Sequence, residues 1–600
     1  MKNTFVTPWS SRLVAACAIG LAVWALRVAL VGDLGTGIPF WDQWDREGLI
    51  IYEPWIKGQL TWQAIFEPHV EHRIVWTHLW NLGLFALCDQ WDPMVQMVAQ
   101  TIISALTAGF FVWCLVAVHS GLFWRMLVLV GALVAFGSPY VYANTLWGFQ
   151  SSFSLFVVWS IGGCASAAWA WTHGRYVWLA LLTALAAPFA MGAGALAGPV
   201  IISLTVLVVL VERRLSRRSG VMLAVGLICF LWGILWRSNS TVMLFAHAES
   251  ILSFLKICLA ALAWPNCQLP WLAGLSCLPV VLMMIRLVRK KAPPRPHELF
   301  IIGIAIWAVG CAAGGAWTRG GVDRLPPSRY YDFLTLLCLV NLFALVLVVR
   351  AWWHEEAACW RISGAVIAIA WVGVTLFGGV DILANFFQAQ RPEIMAKAGR
   401  QFESVNSVLG GAPLAVMIGA GLQNQPLVLE RVMHSQVLAP HLPPELQLPP
   451  QNITAVRVLA IGLDGPHAHW QWISGEFEVR LPAMIVFVRG DASQLKLALL
   501  NPGSESKNYF MPSGRHIGAW SEWLVQTPSG PHRMSIEAPS SPDELAIMLP
   551  RPLSTFGYWA RRGAAQSGLL YVLAAIGVGA ALFASFRATA GQEKTAPNQA

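Results

Sequence analysis

The feature that most constrains this chain is a series of long apolar runs, which recur from the N-terminus to about residue 380 and again near the C-terminus. Runs of roughly 17–25 residues can cross a bilayer as helices, whereas membrane barrel strands need only about 9–11 residues. Of the 600 residues, 56% are hydrophobic and 12% are charged, and the mean hydropathy is +0.57. Since soluble domains carry roughly 25% charged residues, the composition predicts an integral membrane protein.

Twelve of these runs are predicted to be transmembrane helices. They cover residues 12–31, 94–117, 123–138, 153–171, 176–194, 197–212, 219–236, 269–288, 299–315, 331–350, 362–380 and 567–586. The first run has the apolarity of a signal peptide, but no small-x-small cleavage site leads into a mature-looking start. We therefore expect an uncleaved first span.

The basic residues between the spans predict how the chain is oriented. They fall on every second connection, as Lys2 and Arg12, Arg125, His173 and Arg175, Arg213 to Arg218, Arg289 to Lys291, Arg350 and Arg361, and Arg587. Cytoplasmic loops carry an excess of Lys and Arg, so both termini are expected in the cytoplasm, and residues 32–93 and 381–565 are expected outside. The net charge of +9 then follows from topology and does not imply a nucleic-acid partner.

The apolar stretch 74–88 would break this alternation if it crossed the membrane. It is short and contains His78 and Asn81, so we interpret it as an amphipathic helix in the outer interface. The alternative, a true span, would place every later basic loop outside.

Residues 385–565 are predicted to form a separate extracytoplasmic β-rich domain, between a membrane module (1–384) and a last helix with a cytoplasmic tail (566–600). A helical stretch at 384–409 precedes short apolar or alternating runs at 455–461, 476–488, 495–500, 516–525 and 545–549. This spacing of short strands and turns is typical of a small β-sandwich. The domain contains none of the eleven cysteines, so it needs no disulfide in an oxidising compartment. The polar tail from Thr589 is expected to be disordered.

A short outward loop carries three arginines, Arg319, Arg324 and Arg329. Arginine is scarce on the outer side of membranes, and a charge at the interface is costly. Because guanidinium groups bind phosphate bidentately, we expect these residues and the adjacent Tyr330 to hold an anion such as a lipid-linked phosphate. The alternative is ordinary ion pairing of Arg324 with Asp323 and of Arg329 with Asp332.

The first outward loop holds the acidic candidates. Asp42 and Asp45 follow span one among tryptophans, and Glu71 and His72 lie further along the loop. Carboxylates held at an interface can act as general bases for a sugar hydroxyl or as metal ligands. The alternative is a solvated loop in the aromatic belt. A zinc site from His69, Glu71 and His72 is disfavoured because the helical i, i+4 spacing is missing.

The second outward loop contains amide and aromatic groups but no acid. Asn144, Trp147 and Gln150 are suited to binding a sugar through hydrogen bonds to its hydroxyls and through ring stacking. The alternative is that this loop is a re-entrant turn whose amides satisfy the local backbone.

Together these features resemble the GT-C superfamily of polytopic glycosyltransferases, which use polyprenyl-phosphate sugars. The shared elements are an acidic motif after span one (Asp42 to Asp45), an interfacial helix in the first outward loop, a basic connection after span two, and an arginine, Arg237, at the outer end of span seven. The strings 68–73, 144–150 and 328–330 resemble a poorly characterised bacterial group of such proteins. The resemblance covers roughly residues 1–380.

The resemblance implies a GT-C-like helix arrangement in a bacterial inner membrane and a site on the periplasmic face. Asp42 would be the catalytic base and Asp45 a second acid, while Arg237 and Arg329 would hold the donor phosphate. The partners would be a polyprenyl-phosphate sugar, a glycan or lipid acceptor of the cell envelope, and membrane lipid. Metal-using members have a second acid in the outward loop after span three, where residues 138–152 have none. The missing acid therefore disfavours a divalent metal, for which Glu71 is the alternative ligand.

Two other classes of function remain. A flippase of lipid-linked glycans would place its polar groups at mid-depth in broken helices, whereas here they collect at the outer interface. A non-catalytic scaffold that presents the β-rich domain would leave the outward arginines without a role. The domain's tryptophans are candidates for carbohydrate binding, although a sandwich more often buries such residues in its core: Trp470, Trp472, Trp520 and Trp523.

Overall fold

A computed structural model describes most of the chain. The described residues are 9–119, 121–174, 176–238, 244–291, 293–322, 325–355, 358–423, 425–447, 470–474, 476–490, 492, 495–501, 506–538 and 546–595. The predicted strand 455–461 and the residues Arg175, Asp323 and Arg324 lie outside these ranges.

The structure is that of a polytopic, mostly helical membrane protein with a β-rich region near its C-terminus. Over the described ranges, ten helices are long and apolar enough to cross a membrane: Trp9–Leu34, Pro93–Leu115, Gly148–His173, Gly192–Glu212, Arg217–Leu235, Pro270–Lys290, Pro296–Arg319, Ser328–His354, Cys359–Leu409 and Ser567–Thr589. Each coincides with a predicted span. The other two predicted spans, 123–138 and 176–194, coincide with the shorter apolar helices Leu122–Gly137 and Val177–Phe189.

The α-helices are numbered in chain order. They are α1 (Trp9–Leu34), α2 (Glu53–Ile56), α3 (Trp62–Phe66), α4 (Val75–Cys88), α5 (Pro93–Leu115), α6 (Leu122–Gly137), α7 (Ser151–His173), α8 (Val177–Ala186), α9 (Ala197–Glu212), α10 (Arg217–Leu235), α11 (Ile251–Leu262), α12 (Ala273–Lys290), α13 (Pro296–Arg319), α14 (Tyr331–Glu355), α15 (Ala358–Asn385), α16 (Arg391–Leu409), α17 (Ala415–Gly419), α18 (Pro426–Met433), α19 (Thr555–Ala564) and α20 (Ser567–Thr595). Two π-helical segments, Gln43–Tyr52 and Phe386–Gln390, precede α2 and α16.

The first helix packs through small residues against its two main neighbours. A side chain added at Gly20 would meet a backbone carbonyl oxygen of α5 at about 3 Å, and one added at Gly109 would meet a backbone carbonyl oxygen of α1 at about 3 Å. A side chain added at Gly577 of α20 would meet the Ala18 carbonyl oxygen. Close backbone approach of this kind is the usual way in which membrane helices associate, because lipid provides no hydrophobic drive. Helix α1 therefore fixes where the first outward loop begins.

Helix α4 forms where the interfacial helix is predicted. His78 and Asn81 are buried, each about 2% exposed, and both face the π-helix Gln43–Tyr52. Its polar residues therefore hold the first outward loop together, and its position in the membrane interface stays a prediction.

The β-rich region consists of two five-stranded antiparallel sheets. The strands are β1 (Trp470–Ile473), β2 (Phe477–Val479), β3 (Ala483–Arg489), β4 (Lys496–Leu500), β5 (Lys507–Tyr509), β6 (Met511–Ile517), β7 (Trp520–Gln526), β8 (Gly530–Ala538), β9 (Ala546–Ile547) and β10 (Arg551–Leu553). One sheet has the order β1-β8-β4-β5 with β2 also on β8, and the other has the order β10-β3-β7-β6 with β9 also on β3. Apolar residues of both sheets, such as Leu497 and Val486, share one core, which makes a sandwich.

Several predicted strand boundaries are wrong in an informative way. The run 476–488 divides into β2 and β3, and 516–525 contains the turn between β6 and β7, where Gly518 takes a φ of +61°. Strands β1, β5, β8 and β10 were not predicted. Strand β8 opens with Gly530-Pro531, which is normally a turn signal. The final helix also continues beyond Thr589 to Thr595, where a disordered tail was expected.

The sandwich is not separate from the membrane module, because one of its sheets shares a core with the first outward loop. Trp44 of the π-helix and Phe402 of α16 lie in one apolar cluster with Ile485, Phe487 and Leu524 of the sheet. The sandwich thus covers one end of the helix bundle, which we call the outer end.

Candidate functional site at the outer end

The first two acidic candidates lie where α1 gives way to the π-helix Gln43–Tyr52. Asp42 precedes the first residue of this helix, and Asp45 lies near its start. Between them Trp44 is fully buried against Trp91, with ring centroids 6.1 Å apart. Burial of this tryptophan fixes the helix and leaves Asp42 and Asp45 partly exposed on its other side.

Asp42 faces His69, a residue of the same outward loop. The Asp42 Oδ2 atom lies 3.3 Å from His69 Nε2, and the carboxylate side chain is 37% exposed, whereas His69 is mostly buried. Burial raises the pKa of Asp45; the charge of His69 opposes this rise and that of Asp42 adds to it. The three groups therefore form an acid–base cluster in which the Asp42 side chain is more exposed than that of His69.

A two-residue turn carries the next two candidates. His69 and His72 exchange backbone hydrogen bonds of 2.7 and 2.9 Å, which forces Val70 to a φ of +50° between them. Glu71, at the tip, lies 3.5 Å from the Arg319 guanidinium at the end of α13. Burial lowers the pKa of His72; Glu71 opposes this effect and Arg319 adds to it. The turn thus joins the Asp42 side of the site to one of the predicted phosphate-binding arginines.

Two arginines that sequence reasoning did not select hold this loop in place. Arg46 donates hydrogen bonds to the carbonyl oxygens of Ala64 (3.0 Å) and Glu67 (2.7 Å), and its Nε donates to His78. Arg73 donates to the Trp236 carbonyl at 3.0 Å and stacks over that indole. The Arg46 side chain is about 3% exposed and the Arg73 side chain is partly buried, and the contacts of both guanidinium groups hold the loop in its conformation.

A buried carboxylate, Glu47, lies behind the acid–base cluster. It is about 1% exposed and accepts hydrogen bonds from Gln43 and Gln96 (both 3.1 Å), Trp91 (3.2 Å) and Asn81. Burial raises the pKa of Glu47 to about 7, and these four donors oppose the rise. Gln43 also accepts a hydrogen bond from the backbone N–H of Phe40, so the network reaches the segment that precedes Asp42.

Arg237 follows the end of α10, and its role in phosphate binding stays a prediction. The next residue, Ser238, donates a hydrogen bond of 2.8 Å to the Val70 carbonyl, and Val70 adjoins the histidine that faces Asp42. The Arg237 side chain is exposed. A short series of contacts thus connects Arg237 with Asp42 at one end of the bundle.

Arg329 and Tyr330 lie on the neighbouring side of the outer end. The Arg329 guanidinium stacks over the Tyr330 ring at 5.5 Å, and its carbonyl accepts a hydrogen bond of 2.7 Å from Asn144. Tyr330 and Arg319 line one small crevice of about 10 Å³ between α11 and α13. Tyr330 thus contacts the Arg329 guanidinium and lines the same crevice as Arg319.

Asp332 pairs with a residue that the sequence analysis did not consider. Arg27 of α1, about 3% exposed, donates to Asp332 at 3.0 Å, to the Phe136 carbonyl and to Thr145. Asn144 donates to the same carboxylate at 2.7 Å. The two donor hydrogens of the Asn144 amide are therefore used inside the protein, by partners that are distant in sequence and not by the local backbone of the loop.

The other two residues of the second outward loop differ in exposure. Trp147 is half-buried and donates from its indole N–H to the Phe40 carbonyl at 3.0 Å. Gln150 is about 6% exposed, and its side-chain oxygen has no hydrogen-bond partner in the part of the chain that the structure describes. A sugar-binding role of Trp147 and Gln150 stays a prediction.

Two further findings complete the site. Across the described ranges, no group of three or more His, Cys, Asp or Glu side chains is arranged to hold a metal ion. In the sandwich, Trp520 and Trp523 are 6% and 8% exposed and belong to apolar cores, as the alternative for these residues predicts.

His69, Arg46, Glu47 and Arg27 are the site residues that the sequence analysis did not select. His69 has a signal, because it opens the string His69-Val70-Glu71-His72. Arg27 is a charge inside a predicted span, and Arg46 and Glu47 directly follow Asp45, but nothing in the local sequence indicates which side chains these three residues meet. Family models, curated proteins and solved structures were compared with the chain, and none of them matches it.

Proposed function

We propose that this protein is a membrane glycosyltransferase that transfers a sugar from a polyprenyl-phosphate donor to a hydroxyl of a cell-envelope glycan or lipid at the outer end. The observation that carries the proposal is the cluster formed by Asp42, His69 and the turn that leads to Arg319. It combines an accessible carboxylate with guanidinium groups beside apolar helices, which suits a lipid phosphate and a sugar hydroxyl together.

In the proposed reaction, the acceptor oxygen attacks the anomeric carbon of the donor sugar. A new C–O glycosidic bond forms, the bond from that carbon to the phosphate oxygen breaks, and its electron pair leaves with the polyprenyl phosphate. Asp42 acts as the general base and takes the proton from the acceptor hydroxyl. One displacement of this kind inverts the configuration at the anomeric carbon.

The arginines provide the second half of the chemistry. A guanidinium stabilises the negative charge that develops on the leaving phosphate, which is the strongest type of electrostatic assistance in group transfer. Arg319 is held by Glu71 at 3.5 Å and Arg237 is exposed beside the same turn, so both are positioned to contact a phosphate. Arg329 contributes from the Tyr330 side, and Arg324 remains a predicted member of the set.

The test is transfer by the purified protein in lipid nanodiscs, with a panel of polyprenyl-phosphate sugars as donors and envelope glycan fragments as acceptors. Asp42→Asn is expected to lower the rate by about 10²- to 10⁴-fold, because general-base catalysis contributes about that much. Asp33→Asn is the matched control, since Asp33 lies at the end of α1, before the loop, and pairs with Arg391 outside the cluster. Equal rates for the wild type and Asp42→Asn would refute the proposal.

The same preparation separates an enzyme from a flippase. In vesicles with a fluorescent lipid-linked glycan, the proposed enzyme gives a covalent product and leaves the label distribution between leaflets unchanged. Movement of the label without transfer would favour the flippase.

A further inference from the structure

Trp41, the residue before Asp42, has a backbone conformation that bulky residues avoid. Its φ is +49°, in the left-handed region, where a bulky non-glycine residue is strained and persists only if its surroundings enforce it. The enforcing contacts come from a segment almost four hundred residues later. The Trp41 N–H donates to the Leu422 carbonyl (2.9 Å), and Gln423 donates to the Trp41 carbonyl (3.1 Å).

The indole of Trp41 is held by the same segment. Its ring N–H donates to the Gly421 carbonyl at 3.2 Å, and its ring lies 5.7 Å from that of Phe40. A large aromatic ring normally stabilises a fold by being buried, but 46% of Trp41 is exposed. The backbone, the ring nitrogen and the carbonyl are therefore all fixed, while a large part of the ring faces outward.

An ordinary tryptophan of the aromatic belt does not need this arrangement. Belt residues sit at the interface because their rings are amphipathic, and neither a left-handed backbone nor three hydrogen bonds to one distant segment serves that purpose. Strained residues concentrate at sites of function. The position of Trp41 directly before the proposed base indicates which function the exposed ring serves.

We infer that Trp41 is the platform for the acceptor sugar and that residues 421–423 hold it beside Asp42. This inference rests on the proposed function. The C–H face of a pyranose packs on the exposed indole face, which directs one of its hydroxyls to the Asp42 carboxylate. The acceptor at this subsite is therefore a pyranose with an uncovered C–H face, and residues 421–423 are positioning residues.

The Trp41→Gly variant tests the contribution of the indole ring independently of the backbone conformation. Glycine adopts a positive φ without strain, so this variant removes the platform and keeps the local conformation accessible. Binding of N-acetylglucosamine trimer, maltotriose and a hexuronic-acid disaccharide is measured by saturation-transfer NMR on the full-length protein in nanodiscs, without donor. Wild type is expected to bind at least one probe, and Trp41→Gly is expected to bind that probe at least tenfold more weakly.

Trp55→Ala is the matched control. Trp55 lies in the same outward loop, in α2, and is 45% exposed, so it tests whether any exposed tryptophan gives the same loss. Failure of every probe to bind the wild type, unchanged binding by Trp41→Gly, or an equal loss in Trp55→Ala would overturn the platform. Because no donor is present, these outcomes are independent of whether the protein transfers sugar.

A second measurement tests the positioning residues. Gln423→Ala is expected to speed hydrogen–deuterium exchange of the Trp41 amide about tenfold or more and to weaken binding of the same probe. Arg391→Gln, which removes the exposed contact of α16 with Asp33, should leave both unchanged. Unaltered exchange in Gln423→Ala would show that residues 421–423 do not hold Trp41.

Discussion

The buried ion pairs of the sandwich and of its junction with the membrane helices differ in geometry and in burial from the ion pairs of the 69–72 turn. Arg515 and Glu522 lie 2.8 Å apart with side chains at most 1% exposed, and Arg561 meets Asp92 and Glu445 with all three side chains completely buried. In the loop, Asp42 and His69 are 3.3 Å apart and Glu71 and Arg319 are 3.5 Å apart, with each side chain partly exposed.

This difference separates groups that hold the fold from groups that can act on a ligand. A buried charge must keep its partners, because an uncompensated charge away from water is costly. A partly exposed charge with a loose partner can exchange it for a substrate atom at little cost. The predictions below test this distinction, from the largest expected effect to the smallest.

Arg561→Ala should have the largest effect on stability. The substitution leaves Asp92 and Glu445 buried without their cation, and removal of one member of a buried ion pair costs about 3–5 kcal/mol. The loss is measured as the free energy of unfolding in detergent micelles. Arg562→Ala is the control, because it removes a neighbouring arginine of α19. A loss below about 1 kcal/mol for Arg561→Ala would remove the distinction between the two regions.

Glu47 should make stability depend on pH. The folded state raises its pKa from 4.5 to about 7, so its contribution is fully present below about pH 4.5 and is lost as the pH rises through about 7. At about 1.4 kcal/mol per pKa unit, the loss is about 3 kcal/mol. The measurement compares the free energy of unfolding of wild type and Glu47→Gln from pH 4 to 8, with Glu53→Gln as control. A difference between wild type and Glu47→Gln that does not change with pH would contradict the prediction.

Arg319→Ala should impair donor binding far more than stability. Loss of a hydrogen bond to a charged group costs about 1.5–3 kcal/mol, so the KM for the polyprenyl-phosphate donor should rise about 10- to 100-fold. Its partner Glu71 is partly exposed, so the free energy of unfolding should fall by less than about 1 kcal/mol. If Arg319→Ala lowered the free energy of unfolding strongly and left the KM for the donor unchanged, Arg319 would belong with the buried structural pairs.

Arg391→Gln should have the smallest effect. Arg391 and Asp33 form two hydrogen bonds of 2.8 and 2.9 Å, but both side chains are more than a third exposed. Exposed pairs contribute about 0–1 kcal/mol, and salt screens them. The free energy of unfolding in low and in 0.5 M salt should therefore differ little from that of wild type. A loss above about 2 kcal/mol would mean that good geometry matters more than burial.

The long helices could be predicted because their signal is local. Ten of the predicted spans coincide with helices long enough to cross a membrane, since a run of apolar residues satisfies its own backbone and faces lipid whatever surrounds it. The strands were harder to predict, because β8 and β10 depend on partners such as Ser535 with Ala498 and Pro552 with Met484, which are distant in sequence. Pairing of this kind is a property of the sheet.

The candidate site likewise contains residues that the sequence identifies and residues whose partners it does not. Asp42, Asp45, Glu71 and the arginines of the 319–330 loop were selected because charge beside an apolar run is unusual in a membrane protein. Arg27 is an unusual charge within the first span, but its pairing with Asp332 across 305 positions could not be read from neighbouring residues. For the same reason, Asn144 was grouped with possible sugar ligands before its partners were known.

By itself, the sequence determined a chain with many membrane-spanning helices, a β-rich region near its end, and unusual charges between its apolar runs, because hydrophobicity and charge act residue by residue. Only the tertiary structure decided which of those charges meet. It brought His69 to Asp42 and Arg319 to Glu71, and it closed residues 421–423 on Trp41. Contacts between distant segments depend on how the helices and sheets pack, and no local pattern of residues specifies that packing.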